Sequence, residues 1–351
     1  MESLKSTSGL LDLAIIGGGP AGTAAALEAR RCGLRVAIWE RDRFPRDKVC
    51  GEFISAEALP LLEAEIPGAV ARGAAIQGAE FISDNASAQA FCLPRAALGL
   101  SRRSLDAALW KAAEAAGIEV HEAESVRKVQ KLIAGRRQES TWEIESANVS
   151  IQTAKRLIIA CGRWWGIAGL PSPARTGGSS GPGEWLGAKA HFAGITPRGN
   201  VEMYFFRGGY CGLAPVEDGD CNLCCLVRRE RVRECGGAQG LKDFAAWLKQ
   251  LSRNPALEAR LRGARQVSAV VTTAPVHLAR GRPVQHSALM VGDASGFLDP
   301  FTGEGISMAL HSGRLAAQAI AKSLSEGFGD EQAAESYRES LTRAVSRSYK
   351  V

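Results

Sequence analysis

The sequence predicts an α/β chain in which a parallel sheet with crossover helices is interleaved with an antiparallel sheet. Residues 11–16, 20–32 and 34–39 run apolar, helical and apolar in turn, the pattern of one strand-helix-strand crossover unit. Residues 184–227 break into short runs bounded by Gly, Pro, Asn and Asp, as antiparallel strands do. At 351 residues the chain also exceeds the roughly 250 to 300 residues at which one core tends to split into two domains.

Further elements follow in order. Residues 104–116 have helical spacing, with Leu105, Ala108, Leu109 and Ala112 on one face, and 118–121 read as the next parallel strand. Residues 128–148 alternate polar and apolar around Gly135, which predicts a small antiparallel hairpin at the sheet's edge, and 156–160 form another buried strand. A Gly/Ser/Pro loop at 177–183 opens the antiparallel region. Residues 240–261 read as mostly helical, 266–273 and 288–291 as strands, 303–324 as a long helix with a small-residue face, and 330–346 as a last exposed helix. The expected division is a parallel-sheet domain in three parts (1–75, 101–176 and 281–351) and a second, antiparallel-sheet domain from 76–100 and 177–280.

Composition narrows the function. Hydrophobic residues make up 46% and charged residues 23%, which excludes disordered and collagenous classes. A scattered net charge of +6 is too weak to indicate nucleic acid or a membrane surface, and mildly favours small anionic ligands. The start lacks the features of a secretory signal, and residues 10–27 carry Asp12 and the glycine run 17–19, so a cytoplasmic protein without a membrane span is expected. Nine cysteines, mostly in apolar runs, read as reduced thiols. Cys221, Cys224 and Cys225 lack the second pair or histidines of a metal site, so no metal is expected.

Two glycine-rich segments carry the chemistry. Gly17-Gly18-Gly19-Pro20-Ala21-Gly22 contains GxGxxG between a predicted strand and a predicted helix, with Glu40 ending the next strand. Gly17 allows the tight turn, Gly19 lets backbone approach a pyrophosphate, and Gly22 lets helix and strand pack closely. Glu40 suits a ribose hydroxyl. The second segment runs from Val291-Gly292-Asp293 through Asp299-Pro300 to Gly303-Glu304-Gly305-Ile306, where a carboxylate meets a second glycine-rich helix start.

Together, GGGPAG and GDASGFLDPFTGEGI resemble the geranylgeranyl reductases and class A flavin monooxygenases, over nearly the whole chain. The segment Pro45-Arg46-Asp47-Lys48-Val49-Cys50-Gly51 is similar to the PRxKxCG motif of the reductase branch, and residues 101–106 to an RxxLD helix start. The resemblance implies a Rossmann-like FAD-binding domain and an FAD-dependent oxidoreductase. It implies that Gly17, Gly19, Pro20, Ala21 and Gly22 hold the pyrophosphate, Glu40 and Arg41 the adenosine side, and Arg102 the phosphates. Asp293 would take the ribityl chain or pyrophosphate, and Pro300, Gly303, Gly305 and Ile306 would face the isoalloxazine.

Cys50, beside the flavin in that family, is a candidate proton donor, with a packed loop thiol as the alternative. Glu52 is an acid-base candidate or a surface charge. His191, His277 and His311 read as structural. Tyr210 is the other catalytic candidate. Lipid-reducing relatives carry a YxWxFP-like pattern here, whereas this chain keeps Tyr210 and Pro215 but has Gly212 and Ala214 in the aromatic places, so either the pocket is wider or other side chains refill it. Trp164-Trp165 do not match the WxWxIP of halogenases. Trp185, Tyr204, Phe205 and Phe206 read as core more readily than as pocket.

A single dinucleotide fingerprint leaves NAD(P)H as a transient donor, or a separate protein as the electron source. The first functional expectation is hydride exchange between FAD and a carbon-carbon bond of an apolar small molecule. The alternatives are a monooxygenase acting on an aromatic or polyketide-like substrate and a non-catalytic flavin-binding module.

Overall fold

The computed structural model describes residues 9–134, 139–163, 166–170, 185–276, 282–297 and 299–348. The Gly135 turn, Trp164, Trp165, the 177–183 loop and His277 lie outside them. The first half of the chain forms β1 (Leu11–Ile16), α1 (Pro20–Arg31), β2 (Val36–Glu40), β3 (Phe53–Ile54), α2 (Leu59–Glu65), α3 (Pro67–Arg72), β4 (Ala74–Ile82) and β5 (Ala88–Gly99). Then come α4 (Arg102–Ala115), β6 (Glu119–Glu122), β7 (Val126–Ala134), β8 (Glu139–Ser146) and β9 (Ile151–Ile159). The second half forms β10 (Trp185–Ala193), β11 (Asn200–Phe206), β12 (Gly209–Pro215), β13 (Cys221–Arg228), α5 (Arg229–Glu234), α6 (Phe244–Ser252) and α7 (Pro255–Arg260). It ends with β14 (Arg265–Gln266), β15 (Val271–Val276), β16 (Val284–Gln285), β17 (Ala288–Met290), α8 (Gly305–Ser325) and α9 (Asp330–Ser348).

The first sheet has the order β16-β17-β9-β1-β2-β6, with β7 and β8 joined through β9. β1 pairs in parallel with β2 and β9, which places the strand end feeding Gly17 at its centre. The second sheet runs β14-β10-β13-β12-β11-β4-β5-β3, with β15 on β10; apart from the parallel β11/β4 pair, its neighbours are antiparallel. No helix among the described residues is long and apolar enough to cross a membrane.

Two expected elements divide. The predicted helix at 240–261 breaks between α6 and α7, where Arg253 adopts a left-handed φ of 49° and Asn254 caps the next helix at Pro255. The strand expected at 266–273 splits because the Ser268 hydroxyl, rather than a backbone carbonyl, accepts the His191 N–H at 2.9 Å.

The core of the first unit lies between its sheet and α1, α4 and α8. Leu105, Leu109, Leu310 and Ile320 are buried there, worth about 2 kcal/mol each. α8 lies directly on α1, since a Cβ at Gly313 would stand 2.1 Å from the Ala21 carbonyl oxygen. Small residues therefore set the distance between the two glycine-rich segments. Ser312 reinforces this contact by accepting the Gly292 N–H at 2.9 Å.

A carboxylate ties the second sheet to the start of α4. Glu217, after β12, accepts from the Ser101 N–H at 2.8 Å and from the hydroxyls of Ser101 and Ser104, while Ser101 caps α4 by accepting from the Ser104 N–H. Burial raises the Glu217 pKa, but these hydrogen bonds outweigh it and hold the carboxyl below its usual 4.5. Its contribution is therefore full above pH 4.5 and fades as the pH falls through the lower folded-state value. Glu217→Gln should cost about 1–3 kcal/mol at pH 7, with the difference from wild type shrinking in acid. Urea unfolding at several pH values checks both.

Candidate functional site

Three of the four glycines in the first turn are required by crowding. A Cβ at Gly17 would stand 2.4 Å from the Ala160 oxygen, one at Gly18 2.5 Å from the Trp110 ring, and one at Gly22 1.8 Å from the Gly17 oxygen. Gly19 differs. Nothing lies closer than 3.9 Å to its Cβ position, and the nearest atoms are guanidinium nitrogens of Arg102 and Arg46. α1 starts here with no side-chain cap and with Pro20 in its first turn. A helix N-terminus facing two arginines is a cradle for an anion, and it fits the pyrophosphate of FAD. The Pro20 and Ala21 side chains are buried, so these residues offer only backbone.

Arg102 is clamped by Asp106 through bonds of 2.7 and 2.8 Å, which compensates for arginine at a helix start. Burial lowers its pKa, but Asp106 and Cys50 reverse this and keep it charged. Arg103 is half-exposed, 3.4 Å from Asp47. Glu40 accepts from the Gly18 N–H at 2.8 Å and pairs with Arg46 at 2.5 Å, so it braces the glycine turn. Arg41 is exposed, 3.8 Å from Asp42.

The second glycine-rich segment reaches the same region. Asp293 lies 3.8 Å from Arg163, whose guanidinium stacks 4.2 Å over the Phe297 ring. Burial raises the Asp293 pKa, against the pull of Arg163 and Arg102. Gly303 has a φ of 71° and faces Phe53, while nothing lies within 4 Å of the Gly305 Cβ position. Pro300 is exposed. The Ile306 side chain lies in the core, so at this position only backbone is available to a ligand.

The Cys50 segment runs from this region to the second sheet. The Cys50 carbonyl accepts from Asn222 at 2.9 Å, and its sulfur accepts from the Glu52 N–H at 3.3 Å. Burial pushes the thiol pKa up despite the nearby Arg102 charge. Glu52 is a fully buried junction rather than a surface charge. One of its oxygens accepts from the Arg102 N–H at 2.9 Å and from Lys189; the other lies 2.6 Å from His191 Nε2. Lys189 is also 3.3 Å from Asp47. Ligand atoms of Asp47, Glu52 and His191 come within 4.8 Å of one another, and the Lys189 ammonium supplies the positive charge among them.

Sequence reasoning missed Lys189 and took His191 for an ordinary structural residue. The available signal was their i, i+2 spacing in Ala-Lys-Ala-His, two basic side chains on one face of an apolar strand.

The second sheet has two distinct faces. Ala188, Ala190, Tyr204, Phe206, Cys211, Leu213, Leu223 and Cys225 enter its helix-covered core. By strand alternation, Lys189, His191, Met203, Phe205, Tyr210, Gly212, Asn222 and Cys224 point the other way, toward the Cys50 segment. Met203 covers Gly212, with its sulfur 3.2 Å from the Cβ position, and Ala214 packs with Ile76 and Ala97. Other side chains thus refill the places of the missing aromatics. All nine cysteines are free; Cys32 and Cys92 are exposed. A groove of about 470 Å³ lies on the core side, lined by Thr196, Arg198, Tyr204 and Arg260, with Arg260 paired to Glu202 at 2.8 Å.

Comparison with known proteins agrees with this architecture. The pyridine nucleotide-disulphide oxidoreductase family pattern matches residues 11–180. A digeranylgeranylglycerophospholipid reductase of Methanococcus vannielii is 34% identical over 33% of this chain and 29% of its own length, so that match spans under a third of the relative. A reductase of the same name from Methanoculleus marisnigri is 25% identical over 97% of this chain and 85% of its own. The flavin-dependent halogenase armH1 of Armillaria mellea is 25% identical over 99% of this chain and 71% of its own. Among solved structures, the myxobacterial chondrochloren halogenase CndH superposes with a TM-score of 0.79 at 21% identity, covering 98% of this chain and 82% of its own.

Gly22→Ala should destabilise the protein by at least about 1–3 kcal/mol, because backbone must move. Gly19→Ala should leave the melting temperature nearly unchanged while weakening FAD retention about tenfold, as read from flavin absorbance after dialysis. Lys189→Met should cost about 3–5 kcal/mol in urea unfolding, since it leaves buried carboxylates without their cation.

Proposed function

We propose that this chain, an FAD-dependent oxidoreductase of the type that includes geranylgeranyl reductases and flavin monooxygenases, exchanges hydride between flavin and a carbon-carbon bond of an apolar small molecule. In this reading residues 1–75, 101–176 and 281–351 form the cofactor domain, and 76–100 with 177–280 the substrate domain. The Gly17–Gly22 backbone, Arg102 and Arg46 would hold the pyrophosphate, and Glu40 and Arg41 the adenosine side. Asp293 and Arg163 would hold the chain leading to the ring, beside the backbone of Gly303 to Ile306. Bound FAD supplies two-electron chemistry, with NAD(P)H or a protein donor as the electron source.

The observation that carries the reductive reading is Cys50. Its thiol is partly buried, raised in pKa by desolvation, and accepts from the Glu52 N–H, while Asn222 holds the Cys50 carbonyl. A neutral thiol there holds a proton on Sγ for the carbon opposite the one that receives hydride. Tyr210, pushed up in pKa by burial, remains a neutral hydrogen-bond donor.

The runner-up is oxygenation of an aromatic substrate, favoured by the rings of Phe205, Tyr210 and Phe301, which lie 5.8 to 6.3 Å apart. Product mass separates the two. Incubation with NADPH and candidate substrates should add two hydrogens without oxygen present; a product that gains one oxygen atom and forms only in air would favour the runner-up. Cys50→Ala should lower the reductive rate about a hundredfold or more. Because the thiol pKa is raised above 9.0, the proton-donating form persists beyond pH 9.0, and the wild-type rate should hold across the neutral range and decline only in stronger base.

A further inference from the structure

The substrate-side face also carries a continuous run of aromatic rings. Phe91 on β5 lies 5.2 Å from Phe81 on β4, centroid to centroid. Phe81 lies 5.7 Å from both Phe205 on β11 and Phe301 in the loop before α8. Tyr210 on β12 closes the run, 6.3 Å from Phe205 and 5.8 Å from Phe301. Four rings come from the second sheet and one from the loop leading to Gly303.

The two ends differ in character. Phe91 and Phe301 are 48% and 42% exposed, and both touch Phe81. Single exposed phenylalanines are common, but two gathered on one further ring form a patch that water disfavours. At the inner end, the Tyr210 hydroxyl oxygen is buried and has no hydrogen-bond partner among the described residues. Leaving such a group unsatisfied is costly, and native proteins rarely do so. Tyr204 and Phe206, flanking Phe205 in the same strand, enter the opposite core, so the exposed run is not an extension of it.

We propose that Phe91, Phe81, Phe205 and Phe301 form the track on which the substrate's apolar body docks, ending at Tyr210, whose hydroxyl donates to an oxygen of the substrate. The ligand class is a flat or conjugated apolar molecule bearing a carbonyl oxygen. The rings supply area and edge-to-face contacts without demanding one shape, while the single hydroxyl sets the ligand's direction. The assignment rests on the proposed function for its place beside the flavin, but its residues bind independently of that cofactor.

The test uses two probes of nearly equal shape, 2-acetonaphthone and 2-ethylnaphthalene, titrated calorimetrically into the FAD-loaded protein without an electron donor. Wild type should bind the ketone more tightly. Tyr210→Phe should lose about tenfold in affinity for the ketone and little for the hydrocarbon. Phe91→Leu and Phe205→Leu should weaken both probes about three- to tenfold. Equal ketone affinity in wild type and Tyr210→Phe, or unchanged binding of both probes in Phe91→Leu, would overturn the track. Failure of the protein to take up FAD would instead overturn the proposed function, and the same titration on the flavin-free protein would still decide the track.

Discussion

The close contact between α1 and α8 is the constraint on which the site depends. Gly313 brings α8 against the Ala21 carbonyl, and Gly292 brings the preceding segment to 3.0 Å from the Ala21 Cβ as measured from its own ideal Cβ position. Ala25, Ala316 and Ala317 line the same interior without adding bulk. With so little side chain between them, the first turn of α1 and the Gly292 segment, from opposite ends of the chain, arrive together against the middle of α8. α1 brings an uncapped N-terminus with the positive end of a helix dipole, and the Gly292 segment brings Asp293 toward the same arginines. Larger residues at this contact would separate the two halves of the cradle, even with both glycine motifs intact.

Around that cradle, charges are arranged in compensated groups. Arg102 is balanced by Asp106, and Arg46 by Glu40 and Asp42 at 2.5 and 2.9 Å, so guanidinium groups can stand partly buried before any ligand arrives. Glu52 extends this order across the two sheets. The same carboxylate holds the first amide of α4, which carries Arg102, and Lys189 on β10, while its own amide donates to Cys50. The start of α4 on the first sheet's side and Lys189 on the second sheet thus share one buried residue, and a change on either side reaches the other through a few short hydrogen bonds.

The second sheet divides its labour by alternation. One face packs against α5, α6 and α7 and stabilises the unit; the other presents a thiol, an amide, a lysine, a histidine and aromatic rings. Met203 over Gly212 shows why a motif read from letters alone misleads about space. The two positions that lack large aromatics do not become empty volume, because neighbouring strands deliver other side chains into it.

The sequence singled out the Cys50 segment only through its resemblance to a family motif, whereas by itself it determined the crossover unit, the glycine turn and the antiparallel insertion. These depend on local rules: apolar period, the steric freedom of glycine, and turn residues at fixed offsets. Only the tertiary structure decided that Glu52 is buried between Arg102 and Lys189, that His191 joins it, that Ile306 turns inward, and that Phe301 meets Phe81, Phe205 and Tyr210. Those outcomes depend on which strands become neighbours and which face each presents. A lysine in an apolar strand looks the same in sequence whether it reaches solvent or a buried carboxylate more than a hundred residues away, and only the assembled sheets choose between the two.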